Sequence, residues 1–293
     1  MINFSYYSSL YLDFKKHELK NSTLDKYTNI VKNRIDPIFK NRDINDIKPS
    51  DVKKWLYSIY DVGSKSKRHY LGVLSGIFQE ALFDEVIQRN PVKFVKLPKY
   101  EKPDIKPFNA DEVQKIMNNV DDNNFKYYLA IAFYTGMRSG EIIGLKKEDI
   151  DLKNKTIHVK RSRSRHGEST PKTKGSIREI PIIQLLDPFI HDLYNLHDNE
   201  YLFITQYKKP YRDTNVFVNK FWIPSLNDLN IEYRRPYNTR HTYATNMLYN
   251  DLVSPVQLAQ LLGHANTQMV YEVYVSYIQS NYKDFDRSMS IYK

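Results

Sequence analysis

The sequence predicts a mainly α-helical chain with a small antiparallel β-sheet (α+β), divided into two domains. Three observations lead there. Apolar residues recur at helical spacing over most of the chain, a run of prolines interrupts that pattern between Leu97 and Pro107, and only between residues 151 and 183 does the period change to alternation. At 293 residues the chain is long enough for two units that each bury a core.

Within residues 1–97, the stripes Leu24, Tyr27, Val31, Ile35 and Val52, Trp55, Leu56, Ile59 mark two helices. Ser22, with Asp25 three positions on, and Ser50 are their expected N-caps. A third helix is expected near 66–84, where Tyr70, Val73, Leu74, Ile77, Phe78 and Ala81 share a face, and Asn90-Pro91 closes the block. This segment holds 17 Lys and Arg against 11 Asp and Glu, with Lys65, Lys67 and Arg68 crowded at one helix start. Cations there oppose the helix dipole unless an anion joins them, so the three are candidate phosphate contacts; a solvated cationic end is the plainer alternative.

Pro98, Pro103 and Pro107 among Lys and Glu forbid continuous helix and make 98–107 an extended linker. Asn109 with Glu112 then reads as a capping box, and a helix over about 125–134 ends at Gly136. Thr156-Ile157-His158-Val159 and Ile177-Arg178-Glu179-Ile180-Pro181 alternate like strands flanking a polar excursion. From Lys153 to Arg178 there are nine Lys and Arg and one acid, Glu168, a density that makes Arg161, Arg163, Arg165 and Lys174 further candidate phosphate contacts. Helices follow at about 185–197, 214–227, 239–250, 255–262 and 267–276, with Asn238, Ser254-Pro255 and Asn266 as start signals and Gly263 as a stop.

Composition narrows the class. Forty-four Lys and Arg against 34 Asp and Glu give a formal charge of +10 and a pI near 9.3, which favours a polyanionic partner. Zero cysteines exclude disulfides and thiolate metal sites. No apolar run spans a bilayer and no cleavable signal opens the chain, so a cytoplasmic, nucleoid-associated protein with no membrane partner is expected. Twenty-four tyrosines mean that a tyrosine's mere presence carries no weight.

Four islands then stand out: Thr135-Gly136-Met137-Arg138-Ser139-Gly140-Glu141, Arg240-His241, Leu262-Gly263-His264, and Tyr274 ten residues further on. A phosphodiester under attack gathers negative charge on its non-bridging oxygens, and guanidinium groups suit those oxygens in shape and charge. A phenol with a pKa of about 10 is a poor nucleophile at neutral pH and needs a cationic nest and a proton acceptor. His264, at a helix C-terminus whose dipole favours a protonated ring, is the candidate for that neighbour. No Gly-x-x-x-x-Gly-Lys-Ser/Thr loop is present and no His-x-x-x-His or carboxylate ligand set stands out, so neither cofactor nor metal is expected. Asp149 with Asp151 and Asp284 with Asp286 read as solvated surface acids.

The order and wording of these islands, together with Pro171-Lys172-Thr173-Lys174-Gly175, resemble the tyrosine recombinases of the phage-integrase family. The likeness covers nearly the whole chain. It implies a helical core-binding (SAM-like) DNA-binding domain over 1–97 and a catalytic domain over 108–293, with wording closest to integrases of phages and conjugative elements and without the arm-binding module many of them carry. By resemblance Arg138 and Arg240 clamp the scissile phosphate, Glu141 orients the cluster, Lys172 is the general acid with Lys174 competing for that role, and Tyr274 is the nucleophile, with Tyr271 and Tyr277 as decoys. The family's His-x-x-Arg becomes Tyr237-Asn238-Thr239-Arg240 here, which leaves Tyr237 as a hydrogen-bond donor but a feeble base. His241 is expected to point into the fold.

The resemblance further implies double-stranded DNA as partner, a homotetramer on that DNA, and accessory DNA-bending or excisionase proteins as candidate partners. The reaction expected is metal- and ATP-independent cleavage and rejoining through a 3′-phosphotyrosine, serving integration or excision of a mobile element. A chromosome-dimer-resolving recombinase, a tyrosine-type topoisomerase and a catalytically decayed DNA-binding regulator remain as alternatives.

Overall fold

Helix α1 (Phe4–Glu18) and the twenty-residue helix α5 (Ser64–Phe83) pack so closely that a side chain on Gly76 would meet the ring of Tyr11 at 2.5 Å. The computed structural model describes residues 2–97, 100, 105–169 and 174–275, and the chain divides into two units, Met1–Pro103 and Asp104–Lys293. In the first, helices α2 (Asn21–Ile30), α3 (Asp36–Phe39) and α4 (Pro49–Ser58) complete a core in which Phe4, Phe39, Phe78 and Trp55 meet largely edge to face. The indole N–H of Trp55 donates to the Arg34 carbonyl at 2.7 Å. That satisfies the one polar atom of a side chain otherwise buried for its area.

Two helix starts differ from expectation. Helix α2 begins at Asn21, because the N–H groups of Thr23 and Leu24 already bond the Lys20 carbonyl; Ser22 is therefore inside the first turn. Helix α4 begins at Pro49, whose fixed φ and missing N–H suit the first helical position, and the Asp51 carboxylate caps by accepting the Lys48 N–H at 3.0 Å. Ser50 likewise lies inside the first turn. Lys65, Lys67 and Arg68 all fall in the first turn and a half of α5, which has no acid there and only Gly63 at its cap.

The second unit opens with α6 (Ala110–Asn118), capped as predicted by the reciprocal Asn109–Glu112 pair at 2.8 and 2.9 Å. Helix α7 (Asn123–Thr135) is buried on nearly every side and ends at Gly136, where φ is +62°. The short α8 (Ser139–Ile143) follows. Strands β1 (Ile150–Asp151), β2 (Thr156–Val159) and β5 (Arg178–Pro181) form an antiparallel sheet in the order β1-β2-β5, with Ile157 facing Ile180. Between β2 and β5 a two-stranded ribbon, β3 (Ser162–Ser164) and β4 (Gly167–Ser169), occupies the polar excursion.

Helices α9 (Asp187–Asn195), α10 (Ile223–Asp228), α11 (Asn238–Tyr249), α12 (Pro255–Leu262) and α13 (Gln268–Val270) close the unit. The helix expected over 214–227 widens to π-type turns over Phe217–Trp222, just before Pro224. A similar widening over Val31–Ile35 precedes Pro37. A proline has no N–H for the carbonyl four residues back, and its ring crowds that carbonyl, so the preceding turn opens.

The larger core of this unit centres on stacked aromatics: Phe217 lies 4.9 Å from Tyr128 and 5.9 Å from Phe125 between ring centroids. A smaller cluster joins α11, α12, α13 and the π-type turn Tyr271–Val275 that follows it, through Tyr243, Leu258, Leu262, Val270 and Tyr274. Among the described residues no helix is long and apolar enough to cross a membrane. Phe217→Ala is expected to cost about 3–5 kcal/mol of the second unit's stability, because a 1 % exposed ring leaves a cavity its stacked neighbours cannot fill. The urea midpoint at unchanged slope measures it.

Candidate active site

Arg240 is 1 % exposed. Its Nη1 donates to the Gly136 carbonyl at 2.8 Å and its Nη2 to the Leu262 carbonyl at 2.7 Å, so one guanidinium joins the C-terminal ends of α7 and α12. Both ends stop on a left-handed glycine, Gly136 at φ +62° and Gly263 at φ +68°. A Cβ on Gly136 would also meet the Tyr243 ring at 2.6 Å and Leu262 at 2.9 Å, so geometry and space both demand glycine there. Burial, then the charge of Arg138, pushes the Arg240 pKa down to about 10, still far above neutrality.

Arg138 precedes α8, and its backbone N–H and Nη1 both donate to Glu141, at 3.0 and 2.8 Å. The side chain is 36 % exposed, which leaves the group accessible to an anion. Glu141 is buried and shared: Arg178 reaches it from β5 with Nη2 at 2.8 Å, and Arg178 Nε donates to the Leu261 carbonyl at 2.6 Å. Burial works to raise the Glu141 carboxyl, but the hydrogen bond and charge of Arg178, then those of Arg138, outweigh it and hold the pKa below its ordinary value. The acid therefore stays ionised and fixes two guanidinium groups.

Tyr274 packs its ring among the apolar side chains of α11–α13 and is 1 % exposed. Its hydroxyl lies 3.1 Å from Nδ1 of His241. Burial raises the phenol's pKa above the usual value near 10, and the charges of Arg240 and Arg138 pull against that rise. Tyr237 is 45 % exposed at the start of α11, its ring edge-on to His241 with centroids 5.0 Å apart. Arg138, Glu141, Arg240, His264, Tyr237 and Tyr274 are thus brought into one cluster. Lys172 lies outside the described residues, as do Tyr277, Asp284 and Asp286; Lys174 begins a short turn over Lys174–Ser176.

Several expectations need correction. His264 is not protonated by the helix end: its Nε2 faces Arg240 Nη2 at 2.9 Å, and burial followed by the charges of Arg240, Arg138, Arg178 and His241 drives its pKa down to about 4. His241 does not simply pack inward but meets the Tyr274 hydroxyl. Asp149 is no surface acid; it is fully buried and pairs with Arg161, which also holds Glu148. Arg163 donates to the Tyr211 carbonyl at 2.7 Å and lies over the Tyr201 ring. Arg161 and Arg163 thus fasten the ribbon to its own unit instead of standing out as phosphate contacts, while Arg165 is at the ribbon's turn.

Two members of the cluster escaped the sequence reading, and each had a signal. Arg178 shares strand parity with the buried Ile180, and a charge on the inward face of a strand must find a partner. His241 is four residues from Tyr237 on one helix, so the two share a face. Among the described residues no group of three His, Asp or Glu gathers as a metal site would.

The His264 ring makes stability depend on pH. Its folded-state pKa of about 4 lies below the ordinary 6.5, so the unfolded chain binds the proton first, and the folded state loses stability as pH falls from 6.5 towards 4. His264→Gln, whose amide oxygen can still accept from Arg240, should remove that loss. Denaturant titrations of both proteins at pH 7, 5.5 and 4 give the difference directly, and the gap should stop changing below 4.

Residues 106–281 match the model of the phage integrase family, and residues 3–59 match that of its N-terminal SAM-like domain. Similar proteins include the ICEBs1 integrase of Bacillus subtilis, 26% identical over 287 residues, covering 92% of this chain and 76% of the relative. A tyrosine recombinase XerC-like protein of Caldanaerobacter subterraneus subsp. tengcongensis is 28% identical over 269 residues, covering 80% and 68%. Among solved structures, the Tn1549 transposon integrase in complex with a circular intermediate DNA superposes with a TM-score of 0.77 at 20% identity, covering 94% of this chain and 99% of that one. A lambda integrase tetramer bound to a Holliday junction gives 0.76 at 20% identity, covering 91% and 79%. With its catalytic segment matched over more than half its length and its helical segment matched separately, the chain belongs to the phage integrase family.

Proposed function

We propose that this chain is a site-specific DNA recombinase that cleaves and rejoins DNA through a 3′-phosphotyrosine at Tyr274, for integration or excision of a mobile element. The observation that carries the reading is the convergence of Arg138, Arg240 and Tyr274, with both guanidinium groups acting electrostatically on the phenol. A phosphate drawn to Arg138 would meet donors oriented in advance by Glu141, so no reorganisation is needed as charge develops on its oxygens. Attack by the phenol oxygen breaks the bond to the 5′ oxygen, and Lys172 is proposed to protonate that leaving group. The ester retains the phosphodiester's energy, so rejoining needs no nucleotide. The guanidinium groups supply the charge compensation that metal ions give other nucleases, and the reaction is proposed to be metal-independent.

Double-stranded DNA is the proposed partner, held by the helical unit of residues 1–97 and the catalytic unit of 108–293, with residues 98–107 as the linker. Lys65, Lys67, Arg68 and Arg165 are its proposed phosphate contacts. The ICEBs1 integrase and the Tn1549 transposon integrase in complex with a circular intermediate DNA support this substrate class. The lambda tetramer on a Holliday junction supports a homotetramer as the active assembly.

A nicked substrate that traps the covalent intermediate tests the chemistry. Wild type should form a protease-sensitive DNA adduct mapping to Tyr274, Tyr274→Phe should form none while binding DNA as before, and Arg138→Ala should slow adduct formation by about 10²–10³-fold. A DNA-binding regulator without chemistry would give no adduct at all. Lys65→Ala, Lys67→Ala and Arg68→Ala combined should flatten the dependence of log affinity on log salt by about 0.9 for each phosphate that these side chains neutralise.

A further inference from the structure

The phenol of Tyr274 needs a proton acceptor, and the position where the resemblance places an imidazole holds Tyr237 instead. His264 is engaged elsewhere, its Nε2 facing Arg240 at 2.9 Å. The imidazole that does reach the nucleophile is His241, with Nδ1 3.1 Å from the Tyr274 oxygen and ring centroids 5.7 Å apart. That separation is within direct proton-transfer reach. We infer that His241 is the general base that activates Tyr274, taking over at the residue after Arg240 a task that Tyr237 cannot perform; the inference rests on Tyr274 being the nucleophile.

Helix α11 explains why His241 can hold this position. Arg240 is pinned at both Nη atoms to the ends of α7 and α12, so the backbone of its neighbour is fixed to the same frame. His241 also stands against the ring of Tyr237, which limits its rotation. The Tyr274 ring is held by the cluster of Leu258, Leu262 and Val270. Two side chains with little freedom therefore meet through one hydrogen bond.

The step balances simply. In the tautomer the step requires, the imidazole carries its hydrogen on Nε2 and presents a lone pair at Nδ1; the phenol O–H bond breaks and the proton passes to Nδ1. The phenolate oxygen forms its bond to phosphorus as the bond to the 5′ oxygen breaks, and that oxygen is protonated by the general acid. On rejoining, a 5′-hydroxyl gives its proton back to the deprotonated general acid as its oxygen attacks phosphorus, the bond from phosphorus to the tyrosine oxygen breaks, and the imidazolium returns its proton to the departing phenolate.

The groups around this pair are Arg240 and Tyr237 on α11, Arg138 on the approach to α8 and His264 after α12, with Arg178 and Glu141 behind them. Without DNA the surrounding cations oppose a positive ring. A phosphate lodged against Arg138 brings negative charge that offsets that field and eases proton transfer to the ring.

The experiment uses the full chain and a nicked substrate with sulfur in place of the scissile 5′ oxygen, since a thiolate leaves without a general acid. Single-turnover adduct formation is then followed against pH. Wild type should rise and level off with pH. His241→Gln, whose amide still bonds the phenol but takes no proton, should react at least about 10²-fold more slowly at neutral pH, with a rate climbing about tenfold per pH unit as hydroxide replaces the base. His241→Ala should behave alike, and circular dichroism and DNA affinity check that both variants are folded. A His241→Gln protein with the wild-type rate and plateau overturns the inference while an adduct at Tyr274 preserves the reading beneath it. No adduct at Tyr274 in wild type overturns both.

Discussion

A single buried guanidinium organises the candidate active site. Arg240 is an expensive group to remove from water, and its location is tolerable because the carbonyls it binds are the unsatisfied ends of two helices. The last turns of α7 and α12 each leave carbonyls without an intrahelical donor, and Arg240 supplies donors to both. The cation and the helix ends solve each other's problem. From that junction follow the positions of Arg138, two residues after Gly136, and of His264, which follows Gly263.

Glu141 performs the same service for the outer arginines. One carboxylate accepts from Arg138 and Arg178, and Arg178 in turn holds the Leu261 carbonyl. The sheet, α8 and α12 are thereby cross-linked through charge-assisted hydrogen bonds inside a region of low dielectric, where such bonds are strong and their loss costly. The ribbon β3–β4 is anchored by a second network, in which Arg161 joins Asp149 and Glu148 while Arg163 lies on Tyr201. Much of the basic density that the sequence displays here is internal scaffolding.

What could be read from the sequence follows the range of the forces involved. The Asn109–Glu112 box, the stop at Gly136, the Ser254-Pro255 start and the stop at Gly263 are short-range signals, and each appears where it was expected. The sheet strands β2 and β5 were legible because Ile157, Val159 and Ile180 alternate with polar residues. Strand β1 has two residues and the ribbon has no apolar face, so neither leaves a periodic trace. Asp149 can be buried because Arg161, twelve residues downstream, returns to it alongside the Lys146 N–H and the Lys160 ammonium. His241 meets Tyr274 across 33 residues of chain, an encounter that no local pattern encodes.

The small cluster around Tyr274 places a double demand on that position. The ring fills volume among Leu258, Leu262 and Val270 whether or not any chemistry is performed. On the proposed chemistry, a lineage that ceased to recombine DNA would be released from needing the oxygen, yet not from needing the aromatic body. Descendants of this gene under relaxed selection should therefore drift to phenylalanine before serine, keeping the shape and discarding the reactivity.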